Sequence, residues 1–290
     1  MAFAIGIAAG VAAALCWGVS DFVAKIAIGR LGKHGDVKAL FWARLAGMLL
    51  MLAGLLCAGF DAQAAIAWLP ALALIGLLDF AGAYSFYRGL SKGGVSVVGP
   101  VASSYAALAA AIGVALLGEP FSGMRASGIG LTLLGVALAS SSPLASRKKT
   151  GGLAGGVPEA LFTILCWGVV WTLVAAWSPS AGWMLPVLAV RVVSVAGCAA
   201  AGRLGGFKVA LAAAPLAAIA ALAGILDAAA ASIAMWALSQ KELVSIVVPI
   251  TSAFPAVAVV LGVFVLKEKM GWRQALGVLA IIVGVMAISA

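Results

Sequence analysis

The chain has 290 residues, of which 65% are apolar and only 9% charged, with a formal net charge of +9. A soluble globular domain carries about 25% charged residues, so this composition excludes a water-soluble fold. The basic residues stand singly, without a stripe of interleaved aromatics, which sets nucleic acid aside as a partner.

Apolar runs of roughly 20 residues recur along the chain, each long enough to cross a hydrocarbon core of about 30 Å as a helix. Breaks at charged, Pro and Gly clusters divide them into ten segments. The first, at about 3–24, opens on MAFAIGIAAG without the basic stretch of a cleaved signal peptide and carries Trp17 and Asp21. The second (38–59) carries Arg44, and the third (66–90) carries Asp79, Tyr84 and Tyr87. Pro100, Ser103 and Ser104 fall early in the fourth (95–117), which runs out at Glu119, and Gly128 and Gly135 punctuate the fifth (123–142). The polar, Gly-rich stretch SSPLASRKKTGGLAGG follows. Residues 146–156 read as a linker between a first five-segment unit at 1–145 and a second at 157–290. The sixth segment (157–177) carries Trp167 and Trp171, the seventh (182–202) Arg191, and the eighth (211–238) Asp227 and Trp236. The ninth (243–265) carries Pro249 and Ser252 and runs out at Glu268, and the tenth (272–289) carries Gly277 and Gly284. Leu, Ala, Gly and Val run continuously in all of them, without the alternation of a β-barrel strand, so the spans are helical.

The two units resemble each other at an offset of about 150 residues, and a repeat of this kind is the most informative feature of the sequence. LCWGVSDFVAK (Leu15 to Lys25) faces LCWGVVWTLVA (Leu165 to Ala175). Further matches, in the same order, are Arg44 with Arg191, Asp79 with Asp227, Pro100 with Pro249, Tyr105 with Phe254, Gly113 with Gly262, and Glu119 with Glu268. With an odd number of spans per unit, the second copy enters the membrane from the opposite side, the inverted-repeat design of many secondary transporters. Charge placement agrees. Lys25, Arg30, Lys33, Lys38, Arg88, Lys92, Arg147, Lys148, Lys149, Arg203, Lys208, Lys267, Lys269 and Arg273 lie around the loops after the odd-numbered segments, whereas the other side holds Arg125 and Lys241. The positive-inside rule then puts both termini outside the cytoplasm.

Three stretches resemble the EamA-type families of the drug/metabolite transporter superfamily: Trp17-Gly18 with Asp21-Phe22 and Lys25, SVVGPVASSYAALAAAIGVALLGEP (Ser96 to Pro120), and GIGLTLLGVALA (Gly128 to Ala139). The first is similar to the family's Trp-Gly-x-x-Asn-Phe opening helix, the second to its Pro-containing fourth helix ending in Gly-Glu, the third to its Gly-rich fifth helix. The resemblance implies a ten-helix bundle around a central cavity, working by alternating access on amino acids, other metabolites or drug-like compounds. Two departures stand out. Asp21 occupies a position where the family commonly has Asn, and ten-helix relatives are generally drawn with cytoplasmic termini, the reverse of the charge count here.

Asp79 and Asp227, near the middle of their segments, are the leading functional candidates, because a charge at that depth costs several kcal/mol unless it is paired or faces water. Two readings stand for them. Unpaired in the cavity, they bind a cationic substrate or exchange a proton for it. Alternatively they form ion pairs, since residue count puts Arg191 at nearly the depth of Asp227 and Arg44 roughly 7 Å in depth from Asp79. Asp21 stands one turn before Lys25, the spacing of a helical salt bridge. Trp17, Trp167, Trp171 and Tyr84 are candidate lining residues that could stack on a planar or cationic group. Pro100 and Pro249 are candidate gates, each lacking a backbone donor. Ser103 and Ser252 offer hydroxyls to substrate or back-bond to their own helices. Glu119 and Glu268 read as N-terminal caps of the helices that follow them.

Cys16, Cys57, Cys166 and Cys198 lie inside apolar segments, no CxxC occurs, and His34 is the single histidine, so neither disulfides, a metal site nor a cofactor is expected. HExxH, GxSxG and Walker A sequences are absent, and the expectation is neither an enzyme nor an ATP-driven pump. The expected function is secondary transport of small organic metabolites, amino acids or related compounds, by export or exchange across the inner cell membrane, with protons as a candidate coupling ion. An exporter of hydrophobic or quaternary cations and a non-transporting membrane scaffold are the alternatives.

Overall fold

In hydrocarbon each backbone N–H must find its acceptor within its own segment, and the elements among the described residues are accordingly all helices, joined by short turns, with no strand among them. The computed structural model describes residues 2–58, 66–117, 122–139, 153–181, 184–210, 212–239, 247 and 250–289. Most of the expected linker, together with Glu119, Lys241 and Pro249, lies outside them.

The helices are α1 (Ala2–Arg30), α2 (Gly35–Ala58), α3 (Leu69–Lys92), α4 (Val95–Ser103), α5 (Tyr105–Leu117), α6 (Gly123–Ala139), α7 (Val157–Ala181), α8 (Met184–Leu204), α9 (Ala214–Ser239), α10 (Phe254–Phe264) and α11 (Trp272–Ser289). Seven stretches are long and apolar enough to cross a membrane, one of them running through α4 and α5, while α6, α10 and α11 are shorter apolar helices. The chain is therefore a multi-pass, all-helical membrane protein.

Three local differences from the sequence reading have physical causes. First, α1 does not stop at the charge of Lys25, because the Lys25 ammonium donates to the Leu90 and Gly93 carbonyls at 2.5 and 2.7 Å and is satisfied inside the bundle. Second, the fourth segment is broken. Pro100 sits inside α4 without an N–H to give, and α4 ends in a turn at Ser104 before α5 starts at Tyr105. The ninth segment has its turn at the matching place, Ser252–Ala253, just before Phe254 opens α10. Third, Glu268 does not cap the helix that follows it. The C-terminus of α10 closes in a wide turn, with the Glu268 N–H on the Gly262 carbonyl at 3.1 Å around Lys267, whose φ of 55° is left-handed. That turn carries the Glu268 carboxylate to the N-terminus of α4, where it accepts from the Val95 and Ser96 N–H groups, each at 2.9 Å.

Helices of the two halves interleave. α9 packs on α1 and α2, α3 packs on α7 and α8, and α6 packs on α11. Small residues make these approaches close: a Cβ added to Gly128 would lie 2.8 Å from the Gly284 carbonyl oxygen, and one on Gly135 2.7 Å from that of Gly277. Ser20 donates to the Ala223 carbonyl at 2.8 Å, and Thr163 to that of Gly82 at 3.1 Å. One end of the bundle is sealed, with Leu40, Leu90, Val95, Val98 and Val157 fully buried. Lys25, Lys92, Glu159 and Glu268 meet at that end, with Lys92 paired to Glu159.

Candidate functional site

Between the halves lies a cavity of about 110 Å³. It runs from the mid-helix charges toward Val174, Pro186 and Met235, away from the sealed end. α1 contributes Trp17 and Asp21, α2 Arg44, α3 Asp79, α7 Trp167 and Trp171, α8 Arg191 and α9 Asp227.

The charges form one network. Arg44 reaches Asp79 at 3.1 Å with one terminal nitrogen and Asp227 at 3.4 Å with the other, while Arg191 donates to the same Asp227 oxygen at 2.8 Å and to the Val187 carbonyl at 2.8 Å. Sequence depth suggested two separate pairs; the structure joins them through the Arg44–Asp227 contact. Gly47 makes the approach possible, since a Cβ there would stand 2.8 Å from Arg191 Nε. Arg191 is 2% exposed, whereas the Asp227 side chain is 33% exposed, so Asp227 is the most accessible member of the network.

Asp21 is not paired with Lys25, contrary to the spacing rule. Lys25 is drawn to the carbonyl end of α3, where the helix dipole and two unfilled acceptors compete for it, and Asp21 is left half-buried in the cavity wall with no ion pair among the described residues.

The aromatic wall includes two residues that the candidate set omits, Tyr105 and Phe254. Trp17 packs edge-on against Trp171 at 6.1 Å and against Phe254 at 5.7 Å; Tyr105 lies parallel to Trp171 at 6.0 Å and edge-on to Trp167 at 5.8 Å. Their signal was present in the repeat, where Tyr105 and Phe254 are equivalent and each follows its proline by five residues.

Other candidates stand elsewhere. Tyr84 packs against Phe80 at 6.0 Å, outside the cavity lining. The Ser103 hydroxyl is buried and donates to the Pro100 carbonyl at 2.8 Å, with Ser104 on the same acceptor at 3.2 Å. Ser252 sits half-buried in the turn before α10, also outside the lining. Pro100 is buried within α4, and Pro249 lies outside the described residues.

A multi-helix membrane bundle with a charged, aromatic cavity at mid-depth is the architecture of a solute carrier. Residues 4–141 match the model of the EamA-like transporter family, which lies within the drug/metabolite transporter superfamily. A solved structure described as "Crystal structure of protein" shares the fold, with a TM-score of 0.65 and 18% identity, covering 98% of this chain and 96% of that one. No curated protein matches the chain.

Proposed function

We propose that this chain is a secondary transporter that moves small organic metabolites, amino acids or related compounds, by alternating access, in export or exchange. The observation that carries the reading is the cavity itself: charged and aromatic side chains from both halves converge on it at mid-depth, and buried apolar side chains seal it from one end of the bundle.

The sealed end supplies the parts of a gate. Opening it requires Lys25 to leave the α3 carbonyls, Glu268 to leave the α4 N-terminus, and Lys92 to leave Glu159. The paired breaks before Tyr105 and Phe254 let α4 and α10 swing with those contacts while the cavity walls stay in place. Exchange of partners within the Arg44, Asp79, Asp227 and Arg191 network couples the two arrangements, with protons as the candidate coupling ion.

Several observations support ten spans in two inverted units, residues 1–145 and 157–290. The three shorter apolar helices fall where the repeat requires spans. Packing across the halves is reciprocal: α1 on α9 corresponds to α7 on α3, and α2 on α9 to α8 on α3. The C-terminal end of α3 lies beside the N-terminal end of α7, where Lys92 meets Glu159. The loop bias of Lys and Arg, with Lys25 and Lys92 at the sealed end, favours a cytoplasmic sealed end and termini on the other side of the inner membrane.

Thermal unfolding of the detergent-solubilised protein against a panel of amino acids, amines, nucleobases and organic cations tests the reading. Selective stabilisation is expected, about 2.7 kcal/mol at a hundredfold excess over Kd. A panel without any stabilising compound favours the non-transporting scaffold. The guanidiniums of Arg44 and Arg191 on Asp79 and Asp227 favour the ion-pair reading of these carboxylates over direct cation binding.

A further inference from the structure

We infer that Asp21, with Trp17, Tyr105, Trp171 and Phe254 around it, forms a subsite for the ammonium group of an organic amine, so that small monoamines rather than zwitterions are the preferred ligands of the cavity. The inference rests on the transporter reading and names its substrate class.

The wall holds three carboxylates and two guanidiniums. Arg44 and Arg191 are committed to Asp79 and Asp227, and Lys25 to two backbone carbonyls, so Asp21 is the carboxylate in excess. A lone carboxylate at this depth calls for a positive partner, and Asp21 is accessible from the cavity to receive one.

The surroundings favour a cation. Trp17, Trp171, Tyr105 and Phe254 present π systems separated by 5.7 to 6.1 Å, the spacing of a wall of rings whose negative faces attract ammonium groups. α4 runs beside the carboxylate: a Cβ on Gly99 would stand 4.0 Å from Asp21 Oδ2, an ordinary van der Waals contact.

A substrate carboxylate finds no counterpart. Arg191 Nε lies against Gly47 and Trp167 Nε1 against Gly82, where a Cβ on either glycine would come 2.8 Å from the nitrogen, and the Trp167 side chain is turned to the Asp79 carboxylate. Both donors are therefore taken up within the walls of the charge network.

The test is equilibrium binding to the full-length purified chain with three probes that share one phenylethyl frame: 2-phenylethylamine, its neutral analogue 2-phenylethanol, and the zwitterion phenylalanine. The amine is expected to bind at least about tenfold more tightly than either, a typical value of one desolvated charge contact. Asp21→Asn should lower amine affinity at least about tenfold, and Asp21→Glu should retain most of it. If Asp21→Asn fails to fold, competition on the native chain decides, with butylammonium displacing the amine and butanol failing to do so. An amine affinity unchanged in Asp21→Asn, phenylalanine binding as tightly as the amine, or no amine binding at millimolar concentration overturns the inference. Amine binding without transmembrane movement would leave this subsite standing and overturn the transporter reading; transport of zwitterions without amine binding would do the reverse.

Discussion

Asp227 accepts from two guanidiniums through one oxygen, whereas Asp79 meets Arg44 alone, and Arg44 retains a second partner when Asp79 is lost. Removing one member of a buried ion pair costs about 3–5 kcal/mol, because the other charge stays buried without compensation. Asp227→Asn is therefore expected to lower stability by about that amount, and Asp79→Asn by clearly less, in thermal unfolding of the detergent-solubilised protein; a larger loss for Asp79→Asn would contradict the network. The heights of these residues in the membrane were legible in the sequence, since rise per residue fixes depth. Their azimuths were not, and the Arg44–Asp227 contact depends on azimuth. The i, i+4 rule likewise pointed Lys25 at Asp21 and missed the competing carbonyls of α3, which are 65 and 68 residues away in the chain.

At the scale of elements, two glycines of α6 separate packing from propensity. Gly135 meets the Gly277 carbonyl and the Ile281 N–H of α11, whereas Gly130, in the same helix, has no neighbour within 4 Å of an added Cβ. Gly130→Ala should be neutral or stabilising by up to about 1 kcal/mol, the helix propensity gain. Gly135→Ala should destabilise by about 1–3 kcal/mol through overpacking against backbone that cannot yield. Equal responses at the two sites would contradict the α6–α11 contact. Glu268→Gln should cost about 1–2 kcal/mol, since a neutral amide cannot accept from both Val95 and Ser96 with its charge intact; unchanged unfolding would show that this cap is not formed. Where the apolar segments lie was legible from hydropathy. The breaks at Ser104 and Ser252 were not, because proline marks a missing donor without saying how far downstream the helix gives way.

For the whole molecule, the repeat was the feature that reached furthest. It paired residues now found lining one cavity, Trp17 with Trp167 and Tyr105 with Phe254, though composition and periodicity alone could not place Tyr84 or Ser103 on a face. The common end occupied by Lys25, Lys92 and the Glu268 loop predicts the orientation of the chain. An epitope at the N-terminus should be reached by antibody on cells whose outer barrier alone is opened, and protection until the inner membrane is permeabilised would reverse the assignment.

Counterflow in proteoliposomes tests the central claim most directly. Vesicles are loaded with millimolar unlabelled ligand, chosen from the compounds that stabilise the protein, and diluted into micromolar labelled ligand. Alternating access through the central cavity predicts a transient, saturable accumulation of label above equilibrium that collapses in protein with the cavity charges removed. Label entry no faster than in protein-free vesicles would contradict it.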